Sequence, residues 1–324
     1  MTLLTPVLLL LALSGCFSEV VKDFTQSCPQ FFADPEEVRS PPTIFKDPQY
    51  KHICQIRENK YEYATLYDTA NRIPVYSAYK FQGLIDCTQR NKRWFIEPQL
   101  DDPNSNKKKM ESDGNKDQLP KQAVNKDYEG TRDHHYDKGH LAPVRHASST
   151  VCLDATFTLT NAAPQNSNFN RGKWSNTERN VANILTQECK NNDRYIVTGV
   201  VPGTDKMKER VSIPSHFWTA YCCLDNNRKV IASGAFIGRN EHSSTVEEMS
   251  VTELDRKLTV EYSKGEFTVF GGMCNKPDSN RFKVVHSNKR LQNIYERYRK
   301  EIQRMRLVGK ANAPKIYFCG RKHE

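Results

Sequence analysis

The chain contains no Cys-x-x-Cys pair, no Asn-x-Ser/Thr sequon, no internal repeat and no run of about 18 uninterrupted apolar residues. The first absence excludes zinc ribbons and thioredoxin-type redox sites, and the second removes the acceptor for N-glycosylation. Without repeats there is no solenoid, collagen or coiled coil. Without long apolar runs, and with a mean hydropathy of −0.73, a multi-span helical membrane protein is excluded. The first eighteen residues hold no acidic or basic side chain. Aromatic residues, by contrast, are not scarce: at 10 % they exclude a disordered chain.

The 324 residues are 37 % hydrophobic and 27 % charged, enough for a sizeable core with long polar surface loops. Lys and Arg number 48 against 38 Asp and Glu, and the surplus of +10 favours a polyanionic partner such as nucleic acid, an acidic glycan or anionic lipid. Leu3 to Leu13 has the length of a signal-peptide core, and Cys16-Phe17-Ser18 offers a small-x-small cleavage pattern. Cleavage is expected after Ser18, giving a secreted, extracellular chain; Leu13-Ser14-Gly15-Cys16 also reads as a lipobox, with Cys16 as the alternative lipid anchor. Apart from Cys16, the ten cysteines include nine that imply up to four disulfides and one leftover thiol. Adjacent Cys222 and Cys223 lie in an expected strand, so they point to opposite faces and take different partners.

Residues 19–60 read as a Cys- and Pro-bearing N-terminal arm, 61–310 as one domain and 311–324 as a tail. Within the domain, 61–83 predicts a strand pair around Asp68-Thr69-Ala70-Asn71. Residues 101–132 are polar and unpatterned, with Lys107-Lys108-Lys109 at their centre, and read as a long surface loop. Three strands of a central sheet are expected at 194–202, 211–222 and 229–237. Helices are expected over 175–188, with Val181, Ile184 and Leu185 on one face, and over 288–308 as an amphipathic basic helix. The fold class is α+β, with a central, mostly antiparallel sheet flanked by helices.

Chemistry-bearing residues concentrate in two segments, 132–143 and 160–178. Gly139 permits a tight or positive-φ backbone that presents His140, the side-chain type suited to taking a proton near neutral pH. Asn161, Gln165 and Asn170 are amides in a Pro- and Gly-punctuated stretch leading into a helix start; amide oxygens are hard ligands that suit Mg²⁺. Purely structural readings stand beside these. Asn-rich stretches make turns, and Ser175-x-x-Glu178 matches a helix capping box that alone accounts for Glu178. His134, His135 and His140 fit no standard zinc spacing.

Asp137-Lys138-Gly139-His140-Leu141-Ala142-Pro143 resembles the DRGH motif of the DNA/RNA non-specific endonucleases, a ββα-metal fold family. The spacing onward to Asn161-x-x-Pro164-Gln165, Asn170-x-Gly172-x-Trp174 and Glu178 agrees with that family without a gap. More widely, the chain is similar to the secreted vertebrate endonuclease domain-containing protein 1 group. The resemblance implies His140 as general base, Asn170 as the direct ligand of Mg²⁺ (or Mn²⁺), and Asn161 as orienting the base or the phosphate. It implies Glu178 as a holder of metal-bound water, and Arg93 beside Trp94, or Lys92, as a phosphate contact. Lys138 stands where the motif has Arg, keeping the charge and losing the bidentate fork.

The implied activity is metal-dependent hydrolysis of DNA or RNA with little sequence preference, leaving 5′-phosphate and 3′-hydroxyl ends. Two other classes compete. One is a catalytically silent secreted binder of nucleic acid or another polyanion; the other is a disulfide-rich interaction protein whose basic helix at 288–308 meets a receptor or membrane surface.

Overall fold

The structure is a computed structural model that describes residues 19–84, 93–114, 116–130, 136–147, 149 and 154–275. Its frame is an eight-stranded sheet in the order β1-β2-β3-β4-β9-β10-β11-β12, every neighbouring pair antiparallel. The strands are β1 (Val20–Val21), β2 (Tyr50–Arg57), β3 (Lys60–Asp68), β4 (Ile73–Lys80), β9 (Asp193–Met207), β10 (Val211–Leu224), β11 (Val230–Arg239) and β12 (Val246–Met249). Two short ladders lie outside it: β5 (Phe95–Ile96) with β6 (Glu111–Ser112), and β7 (Tyr136–His140) with β8 (Ala162–Asn166). The long helices are α1 (Ser175–Glu188) and α2 (Val251–Tyr262).

The expected strand pair is β3 and β4. Their turn forms because the Asp68 carboxylate accepts the backbone N–H groups of Ala70 (2.9 Å) and Asn71 (3.1 Å), an Asx turn. The three expected central strands are β9, β10 and β11, running nearly or fully across the predicted spans and beyond most of their ends. Both faces of the sheet are buried, and the period-2 alternation divides the strand residues between them. Tyr195, Val197, Ala220 and Cys222 pack on the α2 side with Leu254 and Leu258. Ile196, Tyr221, Cys223 and Phe236 pack on the α1 side with Val181 and Leu185. The same alternation sends Cys222 to Cys274 and Cys223 to Cys189, so the adjacent cysteines do take different partners. Trp218 anchors the α2 side, its indole N–H donating to the Tyr262 hydroxyl, which donates to the Val200 carbonyl. A fully buried apolar side chain of this kind stabilises by about 1.5–3 kcal/mol.

Three expectations need correction or restriction. The arm at 19–60 is not outside the domain, because β1 and β2 are strands of its sheet and Cys28–Cys54 ties the preceding segment to β2. The stretch 101–132 is more than a solvated loop: it carries β6 and buries Met110, Asp113, Gln122, Ala123, Val124 and Asp127. Its lysines do reach the surface, Lys107 pairing with Glu111. The helix expected at 288–308, and Cys87, Cys152 and Cys319, lie outside the described residues.

Candidate active site

Strands β7 and β8 pair with Asp137 opposite Gln165 and His140 opposite Ala162, and β8 runs directly into a helix, completing a ββα unit. Helical backbone begins at Ser167, earlier than the periodicity of 175–188 predicts. Asn166 is the cap: its side-chain oxygen accepts the N–H groups of Asn168 (3.1 Å) and Phe169 (3.2 Å). Ser175 therefore lies inside a continuing helix with helical φ and ψ, and the Ser175–Glu178 capping box does not form. Capping no longer accounts for Glu178.

Between Ser167–Phe169 and α1, residues Asn170–Trp174 form one π-helical turn, and the Ser175 N–H donates to the Asn170 carbonyl. The turn has a geometric consequence. Eight residues along a regular α-helix leave two side chains about 80° apart around the axis. A π-turn absorbs one residue, so Asn170 and Glu178 are about seven α-helical steps apart and within about 20° of one face.

His140 ends β7, half-buried, with its ring between Trp94 (centroids 5.0 Å) and Phe157 (5.0 Å, edge-on). Gly139 does not have a positive φ and is the tight alternative instead: glycine is required because a Cβ there would overlap the buried Gln165 side chain. The backbone beyond His140 is fixed by Asn161. Its carbonyl accepts the Leu141 N–H, and its side-chain oxygen accepts the Ala142 N–H (2.9 Å) and the Ser77 hydroxyl (2.9 Å). Its amide nitrogen donates to the carbonyls of Ala142 and Thr156. Asn161 is 0 % exposed with both side-chain ends occupied, so it meets the His140 segment only by fixing the backbone beyond it.

Asn170 lies across the unit from β7, and its Nδ2 donates to Asp137 Oδ2 at 2.8 Å. Arg171 grips the same carboxylate with Nε (3.0 Å) and Nη2 (2.7 Å). Holding Nδ2 leaves Oδ1 as the free end of the amide, a single hard oxygen. Among the described residues no group of three or more His, Cys, Asp or Glu could form a metal cage. One amide oxygen with water completing the shell fits Mg²⁺, which binds few protein groups. Sequence reasoning gave Asp137 no role of its own. Its signal was membership of the motif, and its use depends on a strand-to-helix contact 33 residues apart.

Glu178 is half-buried, and burial pushes its carboxyl up to about 7, with Arg145 and then Arg179 opposing the shift. Its carbonyl accepts from the buried His146 Nε2 at 2.9 Å. A carbonyl can only accept, so Nε2 carries the proton and Nδ1 accepts from the Tyr79 hydroxyl at 2.9 Å. Burial brings His146 down to about 4. His146 was also missed in the sequence, where it is one more histidine in a polar loop.

Lys138 is half-buried, donates to Asn125 Oδ1 at 2.8 Å, and lies 5.2 Å from the Trp94 ring and 5.4 Å from that of Tyr128. Burial lowers its pKa, partly offset by Glu129 and Asp113. Arg93 is exposed beside Trp94. Lys92, His134 and His135 lie outside the described residues.

Residues 42–270 match the sequence model of the DNA/RNA non-specific endonucleases. Endonuclease domain-containing 1 protein of Homo sapiens is 35 % identical over 240 residues, covering 71 % of this chain and 45 % of that protein. Its Mus musculus counterpart is 32 % identical over 229 residues, covering 68 % and 43 %. The chain thus spans less than half the length of these curated relatives. Mitochondrial endonuclease G of Homo sapiens is 34 % identical over 110 residues, 30 % of this chain and 35 % of that protein. A solved EndoG/EndoGI complex superposes with a TM-score of 0.44 at 20 % identity, over 62 % of this chain and 83 % of that one.

Proposed function

Because the chain belongs to the DNA/RNA non-specific endonuclease family, we propose that it hydrolyses phosphodiester bonds of DNA or RNA in a metal-dependent reaction. The observation that supports this most is the ββα unit, which sets His140 at the end of a strand and Asn170, with Glu178 on its face, on the helix that follows. His140 takes a proton from a water, whose oxygen attacks phosphorus in line as the bond to the 3′ oxygen breaks. The 3′ oxygen leaves with the electron pair and takes a proton from solvent to become the 3′-hydroxyl. The tilted Trp94 ring and the edge-on Phe157 ring hold the imidazole between them, and Asn161 fixes the backbone beyond it. Asn170 Oδ1 would hold Mg²⁺ or Mn²⁺, which when bound neutralises charge on the phosphate and the leaving oxygen. Asp137 orients that amide. Glu178 accepts hydrogen bonds from water on the same helix face, and Arg93 and Lys138 supply positive charge toward the backbone of the substrate. These groups read no base edges, so little sequence preference follows.

A secreted location accompanies this reading: three disulfides among the described residues suit an oxidising compartment. One observation favours a catalytically silent polyanion binder instead, namely that the Lys138 ammonium is already held by Asn125. Nicking of supercoiled plasmid in Mg²⁺ or Mn²⁺, compared with EDTA, decides between them. The proposal expects nicking only with metal; salt-sensitive DNA binding without nicking would select the silent binder.

A further inference from the structure

We infer that Arg145 is the side chain that grips the non-bridging oxygens of the scissile phosphate, the task that Lys138 cannot perform with a single ammonium. This rests on the nuclease reading above.

The cations around the site divide by what they already bind. Lys138 is tied to Asn125 and lodged between two rings. Arg171 spends both ends of its fork on Asp137, and exposed Arg179 donates to Asn176. Arg145 differs: it is half-buried, its Nε is buried with no hydrogen-bond partner, and no acidic oxygen lies within 4.0 Å of it among the described residues. Leaving a desolvated guanidinium N–H unpaired is costly, and an anionic ligand would remove that cost.

Its position is set from both sides. Arg145 is the middle residue of the 3₁₀ turn Val144–His146, four residues past Leu141 and so just beyond the backbone that Asn161 fixes. Val144 packs on the Phe95–Phe157 cluster, whose Phe157 faces His140. His146 clamps the other side of the turn to the Glu178 carbonyl. Arg145 is thus held between the wall behind the base and the helix that carries Asn170 and Glu178. Its charge is felt there: burial raises the Glu178 carboxyl, and Arg145 is the foremost charge opposing that rise. A guanidinium offers two parallel donors to a phosphate where an ammonium offers a point charge.

The test compares the full chain with Arg145→Gln and Arg145→Lys. Melting temperature checks folding, plasmid cleavage in Mg²⁺ gives rates, and a fluorescent DNA duplex titrated in EDTA between 50 and 200 mM salt gives binding without chemistry, a range over which phosphate contacts dominate. The inference expects Arg145→Gln to remain folded, to lose about 10–100-fold in cleavage, and to flatten the slope of log affinity against log salt by about one, the loss of one phosphate contact. Arg145→Lys should keep the slope and recover only part of the rate. Cleavage and slope both unchanged in Arg145→Gln would overturn it. If the unsubstituted chain binds but does not cleave, the nuclease reading falls, and the slope alone decides: a flatter slope keeps Arg145 as a phosphate contact, an unchanged one removes it.

Discussion

Glu178 is where a structural and a chemical role separate most cleanly. Ser175 is inside the helix, so Glu178 caps nothing, and its carboxyl is raised by burial to about 7. Gln has nearly the same helix propensity and needs no charge in a buried place, so Glu178→Gln should leave the melting temperature unchanged or slightly higher. If the carboxylate orients water beside Asn170, the same change costs about 10–100-fold in rate. Unchanged cleavage would return Glu178 to packing. Gly139 makes a different kind of prediction. An alanine Cβ would overlap Gln165, and overpacking of this sort costs about 1–3 kcal/mol. Gly139→Ala should therefore lower stability; a Gly139→Ala protein as stable as the parent contradicts the packing argument.

The elements around the site are joined by a few polar clamps, and one of them should titrate. His146 is neutral in the fold, with a pKa brought down to about 4, and its unfolded value is about 6.5. A depressed imidazole contributes stability that is fully present above about pH 6.5 and is lost as pH falls toward 4, on the order of 3 kcal/mol. Urea unfolding between pH 7 and 4 should show that loss, and His146→Gln should lack this part of it; identical pH profiles would remove His146 as the titrating clamp. Legibility in the sequence also divides by element. β3, β4, β9, β10 and β11 announce themselves through β-branched and aromatic residues bounded by turn chemistry. The helix start does not: Asn166 to Gly172 is rich in turn formers, and a π-turn breaks the 3.6 period that reveals helices. The same Ser-x-x-Glu pattern is a working capping box at Ser250 and Glu253 and none at Ser175 and Glu178, because only Ser250 has an extended backbone in front of a helix. His140, Asn170 and Glu178 were singled out through the resemblance of their motif to the nuclease family. Asp137 and His146 were not, since each acts through a contact between elements distant in sequence.

At the scale of the whole molecule, a sheet buried on both faces is pinned to each covering layer by a disulfide from neighbouring residues of β10. Peptide mapping without reduction should recover Cys222–Cys274, Cys189–Cys223 and Cys28–Cys54; Cys222 joined to Cys189 would contradict the face assignment. Replacing Cys189 and Cys223 together by Ala should cost about 2–5 kcal/mol. The layer on the Cys223 side contains the ββα unit, so the rigid sheet backs the helix that carries Asn170. The proposed function turns on His140 as the base of a metal-dependent phosphodiester cleavage. Its most direct test is the rate of supercoiled plasmid nicking in Mg²⁺ by the parent chain and by His140→Ala, each checked for folding by its melting curve. The parent should nick, and the folded His140→Ala protein should nick about 10²–10⁴-fold more slowly; equal rates would show that His140 is not the base.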